Sequence, residues 1–387
     1  MRQNTNMDFS LTDDHVALQD AVRRFCDGEY PAHTRGNAED KDLAAKRRHG
    51  LAELGVTGLA IDGEHGGSGY GAAETMLVAQ ELGRALGGAG WLASGLPAAA
   101  LIGAAGSAQQ KAKWLEAAAA GEQVLAFAVG EADARYDIAR LAASAAETGD
   151  GWRIDGTKTI VFDAAIADAF VVAVRTSGRR GDAAGLSLFV VDAKTPGIRL
   201  RNFETIDARD AAHVTFDRVA VSSADLIGEA GGAHELIEAA LDRANAALVA
   251  ESVGALDALL EHTSEHLKTR TQFGVPLAKF QALQHRVADM LISLEQSKSM
   301  ACAAAMAVDG NDPERRRRFV SAAKAYVGDA CRTAGEWGIQ LHGGMGMTEE
   351  CRAGHYAKRM FAINMTYGDA TWHLQRFTAQ RVEQEAA

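Results

Sequence analysis

The chain has 387 residues, is 47% hydrophobic and carries a formal net charge of −11. That length supplies core for two or three domains, and the acidic balance excludes a nucleic-acid partner and an anionic membrane surface. Cys26, Cys302, Cys331 and Cys351 show no CxxC spacing, which predicts neither disulfides nor a zinc centre and points to a reducing compartment. The start, MRQNTNMDFS, lacks a signal-peptide pattern, and no apolar run approaches the ~18 residues of a membrane span. The expected location is the cytoplasm.

Residues 1–125 read as a helical domain. "HVALQDAVRRFC", "AAETMLVAQELGRAL" and "AQQKAKWLEAAAAG" place apolar residues at i, i+3 and i+4. Residues 126–230 change character. "GWRIDGTKTIVF", "AFVVAVRT", "LSLFVVDA" and "HVTFDRVAV" are short, rich in β-branched and aromatic residues, and bounded by Gly or Asp turns. A β domain between two helical blocks is α+β rather than alternating β/α. Residues 231–387 return to helix. Three long amphipathic patterns cover 233–270, 280–308 and 311–341, and a fourth is expected from near His355 past Trp372. In the third, Asp312 can cap, Pro313 fits the first helical position and Glu314 suits the dipole. Four long helices on short connections predict an antiparallel bundle.

Most polar features have an ordinary explanation. His262 and His266 lie four apart on a helix, but Glu261, Glu265 and Lys268 around them describe a solvated face rather than a metal site. No metal is expected. "GEHGGSGYG" (63–71) has no preceding strand in a βαβ setting, so it is a poor dinucleotide fingerprint. The run Arg315–Arg318 reads as a solvated helix start. The stretch "KTRTQFGVPLAKFQALQHRVADM" (268–290) differs. Arg270 ends one helix, Phe273 and Gly274 turn, Pro276 stiffens the turn and Gln281 opens the next helix. An arginine at such a corner can hold a phosphate pair bidentately; on composition alone, the stretch reads rather as an ordinary helical hairpin with a solvent arginine.

RxQFG, Gln281 eleven residues after Arg270, and QxxGGxG about sixty residues later resemble the acyl-CoA dehydrogenase family over nearly the whole chain. "GTKTIVFDAAIADAFVVAV" is similar to its middle domain and "LAELGVTGLAIDGEHGGSG" to its N-domain loop near the acyl pocket. The resemblance implies a helical N-domain, a central β domain and a four-helix C-terminal bundle. It implies FAD, and α,β-dehydrogenation of an acyl-CoA in which a glutamate takes the α proton and the flavin the β hydride. It also implies a dimer or tetramer in which Arg270, Phe273, Gln281, Gln340, Leu341, His342, Gly343 and Gly344 meet the adenosine half of a neighbour's FAD, with an electron-transfer acceptor downstream.

The same resemblance marks departures. Twenty-seven residues after Gln340, where the family's Glu of an EGT triplet stands, is Tyr367, a poor base at neutral pH. The alternative glutamate position, in "LDRAN", is Ala244, with Asp242 retained and Asn245 in the arginine position. Asp242 lies roughly 200° round the helix from that position and is expected to point elsewhere. The [TS]EPxxGSD loop reads "GEADARYD" (130–137), and W-[IV]-[TS]-N reads "IVFD" (160–163). The pattern predicts the small, β-like subunit of a heteromeric acyl-CoA dehydrogenase, paired with a catalytic sister chain. The alternatives are a self-sufficient homo-oligomeric flavoenzyme with Asp369 as a displaced base, or a non-catalytic scaffold. The acyl group is not legible.

Overall fold

A computed structural model describes residues 11–30, 41–88 and 90–386. Five helices come first: α1 (Asp13–Glu29), α2 (Lys41–Glu53), α3 (Ala72–Ala85), α4 (Gly95–Ala105) and α5 (Ala108–Ala119). Eight strands follow: β1 (Leu125–Ala128), β2 (Ser144–Thr148), β3 (Gly151–Phe162), β4 (Ala169–Arg175), β5 (Leu186–Asp192), β6 (Ile198–Glu204), β7 (Asp210–Ser222) and β8 (Leu226–Ile227). They form one sheet in the order β6-β7-β3-β2-β4-β5-β8, with β1 parallel to β4. The chain closes with α6 (His234–Thr269), α7 (Gln281–Val308), α8 (Pro313–His342), α9 (Arg352–Met365) and α10 (Ala370–Ala386). A small hairpin, β9 (Thr271–Gln272) and β10 (Val275–Pro276), joins α6 to α7. This is the expected α+β architecture.

The sheet lies between two cores. Val171 and Ala173 of β4, with Leu188 and Val190 of β5, pack against Leu101 and Ile102 of α4 and Leu115 of α5. The alternate residues Phe170, Val172, Val174, Phe189 and Val191 pack against Val214 and Phe216 on the other face. Side chains alternate along a strand, so a strand covered on both faces reads as the unbroken apolar run "AFVVAV". Within the helical part, α3 and α6 meet backbone to backbone. A Cβ added at Gly254 would lie 1.8 Å from the Gln80 carbonyl oxygen, and one at Gly83 2.0 Å from that of Glu251.

Asp312 caps α8 as expected, accepting from the Arg315 amide at 3.0 Å, with Pro313 at the first helical position. Two expectations change. The fourth C-terminal helix is broken at Thr366–Asp369 into α9 and α10, where Tyr367 (φ 56°) and Gly368 (φ 120°) turn the chain and the Asp369 carboxylate accepts from the Trp372 amide. The Arg315–Arg318 run is not wholly solvated. Arg316 reaches Asp242 and Arg317 reaches Glu235 and Glu238, because the first turns of α8 lie over acidic positions on α6. No helix among the described residues is long and apolar enough to cross a membrane.

Candidate active site and cofactor contacts

A cavity of about 550 Å³ opens between the sheet and the helices. Its β wall is Phe127 and Val129, the loop Gly130–Ile138, Thr159, Ile160 and Phe162 of β3, and the turn Thr205–Asp207. Its helical wall is His234, Glu238, Leu241, Asp242 and Asn245, one face of α6 at spacings of three and four. The α9–α10 corner closes it with Met365, Tyr367, Trp372 and Arg376. The departures legible in the sequence thus come together: Gly130, Tyr136, Ile160, Phe162, Asn245 and Tyr367 all line this one space.

Tyr367 is fixed at both ends. Its hydroxyl donates to the Ala93 carbonyl just before α4. Its own carbonyl accepts from Asn245 Nδ2 at 3.3 Å and contacts His373 Nε2 at 3.2 Å. Burial, and then the Asp163 carboxylate, push the phenol far above the usual tyrosine value. Asp163 itself is buried, which raises its carboxyl to about 6 despite Arg209. Around the corner, Lys324 Nζ donates to the carbonyls of Ile363, Asn364, Thr366 and Gly368 at 2.7–3.3 Å.

Every carboxylate lining the cavity is engaged. Glu131 holds the fully buried Lys158 at 2.6 Å and accepts from the amides of Ala142 and Ala143. Asp207 accepts from Arg359 at 2.8 Å and Asp137 from the Ala139 amide at 3.0 Å. Asp242, 1% exposed, accepts from Arg316 and Arg376. It therefore lines the cavity rather than pointing away from it, because α10 and α8 bring two guanidinia to that side of α6. Glu238 binds Arg317 and Arg376; burial pushes it up, and those cations outweigh burial and hold it below the usual range. His234, Glu235 and Glu238 form a compact trio, and Arg317 and Arg376 occupy its carboxylates. Ala244 is buried and does not line the cavity, nor does Asp369, whose carboxylate is the cap of α10.

The residues expected to meet a neighbour's cofactor lie elsewhere, and none lines the cavity. Arg270 is the exposed C-cap of α6, with no carboxylate in reach of its guanidinium among the described residues. Phe273, 89% exposed with φ 54°, is the tip of the β9–β10 hairpin. Gln281 is the exposed first residue of α7, and Gln340 is exposed in the last turn of α8. Leu341 is buried in the bundle core. The rings of His342 and His266 stack at 4.5 Å, which ties the glycine loop to the last turns of α6. His262 instead lies over Tyr356, so the two α6 histidines have separate partners. Gly343 has φ 62°, and a Cβ at Gly343 or Gly344 would meet nothing within 4 Å. Sequence reading missed Lys324, Arg376 and His373; the one signal for Lys324 is a lysine within the buried stripe Val320, Ala323, Val327 and Cys331 of α8.

The family descriptions of the acyl-CoA dehydrogenase N-terminal, middle and C-terminal domains match residues 12–122, 126–219 and 231–377. The probable acyl-CoA dehydrogenase YngJ of Bacillus subtilis is 27% identical over 97% of this chain and 99% of its own. Butyryl-CoA dehydrogenase from Megasphaera elsdenii superposes with a TM-score of 0.89 at 24% identity, covering 97% of this chain and 100% of its own. A chain of the ChsE4-ChsE5 complex from Mycobacterium tuberculosis does so at 0.86 and 25% identity, covering 97% and 99%. The chain belongs to the acyl-CoA dehydrogenase family, FAD-dependent oxidoreductases acting on CH–CH bonds.

Proposed function

We propose that the chain is the small, β-like subunit of a heteromeric acyl-CoA dehydrogenase. The carrying observation is a division of labour. Arg270, Phe273, Gln281, Gln340, Gly343 and Gly344 of the adenosine-side set are exposed, and the whole set is clear of the chain's own cavity, while that cavity offers no unengaged carboxylate as a base. Arg270 presents a planar fork suited to a pyrophosphate. Gln281 and Gln340 supply hydrogen bonds, and the open backbone at Gly343–Gly344 admits close approach. These residues fit FAD held by a sister subunit. The bound cofactor supplies the hydride acceptor for dehydrogenation.

The chain's own flavin wall fits less well. Position 130 carries no hydroxyl, and a Cβ there would sit 2.9 Å from the Thr159 carbonyl oxygen, so one cannot be added without a backbone shift. Tyr367 occupies the position of a base with a phenol bonded to Ala93. The solved ChsE4-ChsE5 complex, a pairing of two named chains, is a precedent for assembly with a sister. The substrate class is an acyl-CoA, and a separate electron-transfer acceptor follows. The self-sufficient alternative, with Asp369 as base, is disfavoured because that carboxylate caps α10.

The test is expression alone and with candidate sister chains, followed by Arg270→Ala in the complex. The expected result is a colourless chain alone, about half a flavin per chain in the complex, and loss of that flavin in the variant. Full FAD in the variant would refute the adenosine-side assignment. A yellow homo-oligomer with one FAD per chain would favour the self-sufficient enzyme.

A further inference from the structure

Two histidines from different helices meet face to face at the base of the glycine loop. The rings of His266, in the last turn of α6, and His342, the last residue of α8, stand 4.5 Å apart and 26° from parallel. His342 Nδ1 lies 2.7 Å from the Gly338 carbonyl oxygen. A carbonyl only accepts, so Nδ1 carries the proton and Nε2 is left for a second one. The chain passes from the stack directly into the loop. Gly343 takes φ 62°, Gly343–Met347 form a short 3-10 turn, and a Cβ added at Gly346 would lie 3.2 Å from the His342 Cβ. The stack therefore moors the loop to α6.

The charges around the stack are mostly cations. His262 and Arg270 lie one turn either side of His266 on α6. Helix α9 brings Arg352, with Nη1 3.5 Å from His262 Nε2, and α3 brings Arg84. Residues 271–276 and 343–348 carry no ionisable side chain, and Lys279 follows the hairpin. Helix α7 opens with His285 and with Arg286, which pairs with Asp289. Of the carboxylates, Glu261 is held by Arg84 and Glu265 is exposed. Burial first, then His342 and Arg270, hold the His266 imidazole below the usual histidine value, and no carboxylate offsets them. The closed stack thus favours neutral rings, and a proton on either ring is opposed by the other and by Arg270.

We propose that the His266–His342 stack is a proton-operated latch on the glycine loop, closed while both rings are neutral and released as the pair takes up protons. The sign follows from linkage. An open His266 takes its proton at the ordinary value of 6.5 and the closed stack only below it, so the closed form loses stability as pH falls through 6.5 and keeps it above. The consequence rests on the adenosine-side reading proposed above. On release, Gln340 and Gly343–Gly344 leave the positions that fit a dinucleotide, and the assembly yields its flavin on acidification. Protonated rings acting as extra phosphate-binding cations have the opposite effect, so the direction of the pH dependence decides between the two.

The test is an NMR titration of the full chain from about pH 8 to about pH 5. It follows the ring signals of His266 and His342 and the amide signals of Gly343, Gly344 and Gly346, with His266→Phe and His342→Phe as comparisons. Both rings are expected to titrate below the ordinary histidine value, and each to titrate higher by about half a pH unit or more when the other is replaced. The glycine amides are expected to move with the rings in wild type and to stay in place in His266→Phe, whose flat ring keeps the stack without the charge. Flavin affinity of the flavin-bearing assembly is then compared at about pH 7.5 and about pH 5.5. Wild type is expected to bind FAD about 10-fold more weakly at the lower pH, and His266→Phe to change by less than about 3-fold. Independent titration of the two rings, equal pH dependence of flavin affinity in wild type and His266→Phe, or tighter binding at the lower pH would overturn the proposal. Arg270→Ala is read at about pH 7.5, where the latch is closed. FAD retained there refutes the adenosine-side reading, while the ring and glycine signals of the chain alone still decide the latch.

Discussion

Tyr367 donates its hydroxyl to the carbonyl of Ala93, 274 residues away in sequence, and so joins the α9–α10 corner to the start of α4 across the end of the cavity. The tie depends on the backbone of Thr366–Asp369 being held in place, and Lys324 holds it. Its ammonium, pulled down to about 7 by burial, gathers four carbonyls of the corner, of which that of Ile363 also accepts the capping bond from the Thr366 amide. Replacing Lys324 by Met removes the donor and leaves those acceptors buried. The expected loss is about 3 kcal/mol, read as a lower midpoint in urea unfolding. A loss below about 0.5 kcal/mol would mean that the corner holds itself.

Asp163 makes stability depend on pH in an unusual direction. Its folded value of about 6 lies above the ordinary 3.8, so between those values the folded chain holds a proton that the unfolded chain has released. Stability therefore falls as pH rises through that window, by about 1–3 kcal/mol, and is level above it. Asp163→Asn keeps the acceptor for the Gly90 amide and tolerates φ 57°. The variant is expected to be the more stable form at pH 7 and to lose the slope between pH 4 and 6. Parallel pH–stability curves for the two proteins would remove Asp163 as the cause.

Lys158 and Glu131 form a buried pair behind the cavity loop. Burial lowers the Lys158 ammonium and Glu131 counters it. Lys158→Met leaves Glu131 with its two amide donors and no cation, a change expected to cost about 3–5 kcal/mol. Adding Glu131→Gln removes the stranded charge and is expected to restore at least half of that loss. A double variant no more stable than the single would locate the damage in packing rather than charge. The double-mutant cycle by chemical denaturation decides between them.

The sequence carried the fold because its signals are local. Asp312 and Pro313 open α8 by capping chemistry, and the heavy apolar run of β4 follows from burial on both faces. The corner at Thr366–Asp369 was less visible. Gly368 and Asp369 are break signals, but apolar spacing continues through them into α10 and suggests one helix. The segment "GLPAAALIGAA" of α4 is apolar on nearly every side and so shows no period. The residues proposed for the adenosine side were readable as motifs. The long-range ties were not: Arg316 to Asp242 spans 74 positions and Tyr367 to Ala93 spans 274, and neither leaves a mark in spacing.

Replacing Tyr367 by Glu places a carboxylate at the position proposed for the family's base, yet the isolated chain is expected to remain inactive as a dehydrogenase. The glutamate loses the Ala93 tie and introduces a second acid beside the Asp163 carboxylate, and burial with a like charge raises the pKa of both groups. Ionising both acids in this buried site costs free energy, so the variant is also expected to be about 1–2 kcal/mol less stable than wild type at neutral pH. The larger obstacle is the opposite wall, where Gly130 offers no hydroxyl and has no room for one against Thr159. An anaerobic dye-reduction assay of the variant with added FAD and a panel of acyl-CoAs reads the outcome. Turnover by the isolated chain would show that the missing base was the only defect and would count against the partner-subunit reading. Absence of turnover, with FAD still bound by the complex, is what a subunit adapted to complete another chain's site should give.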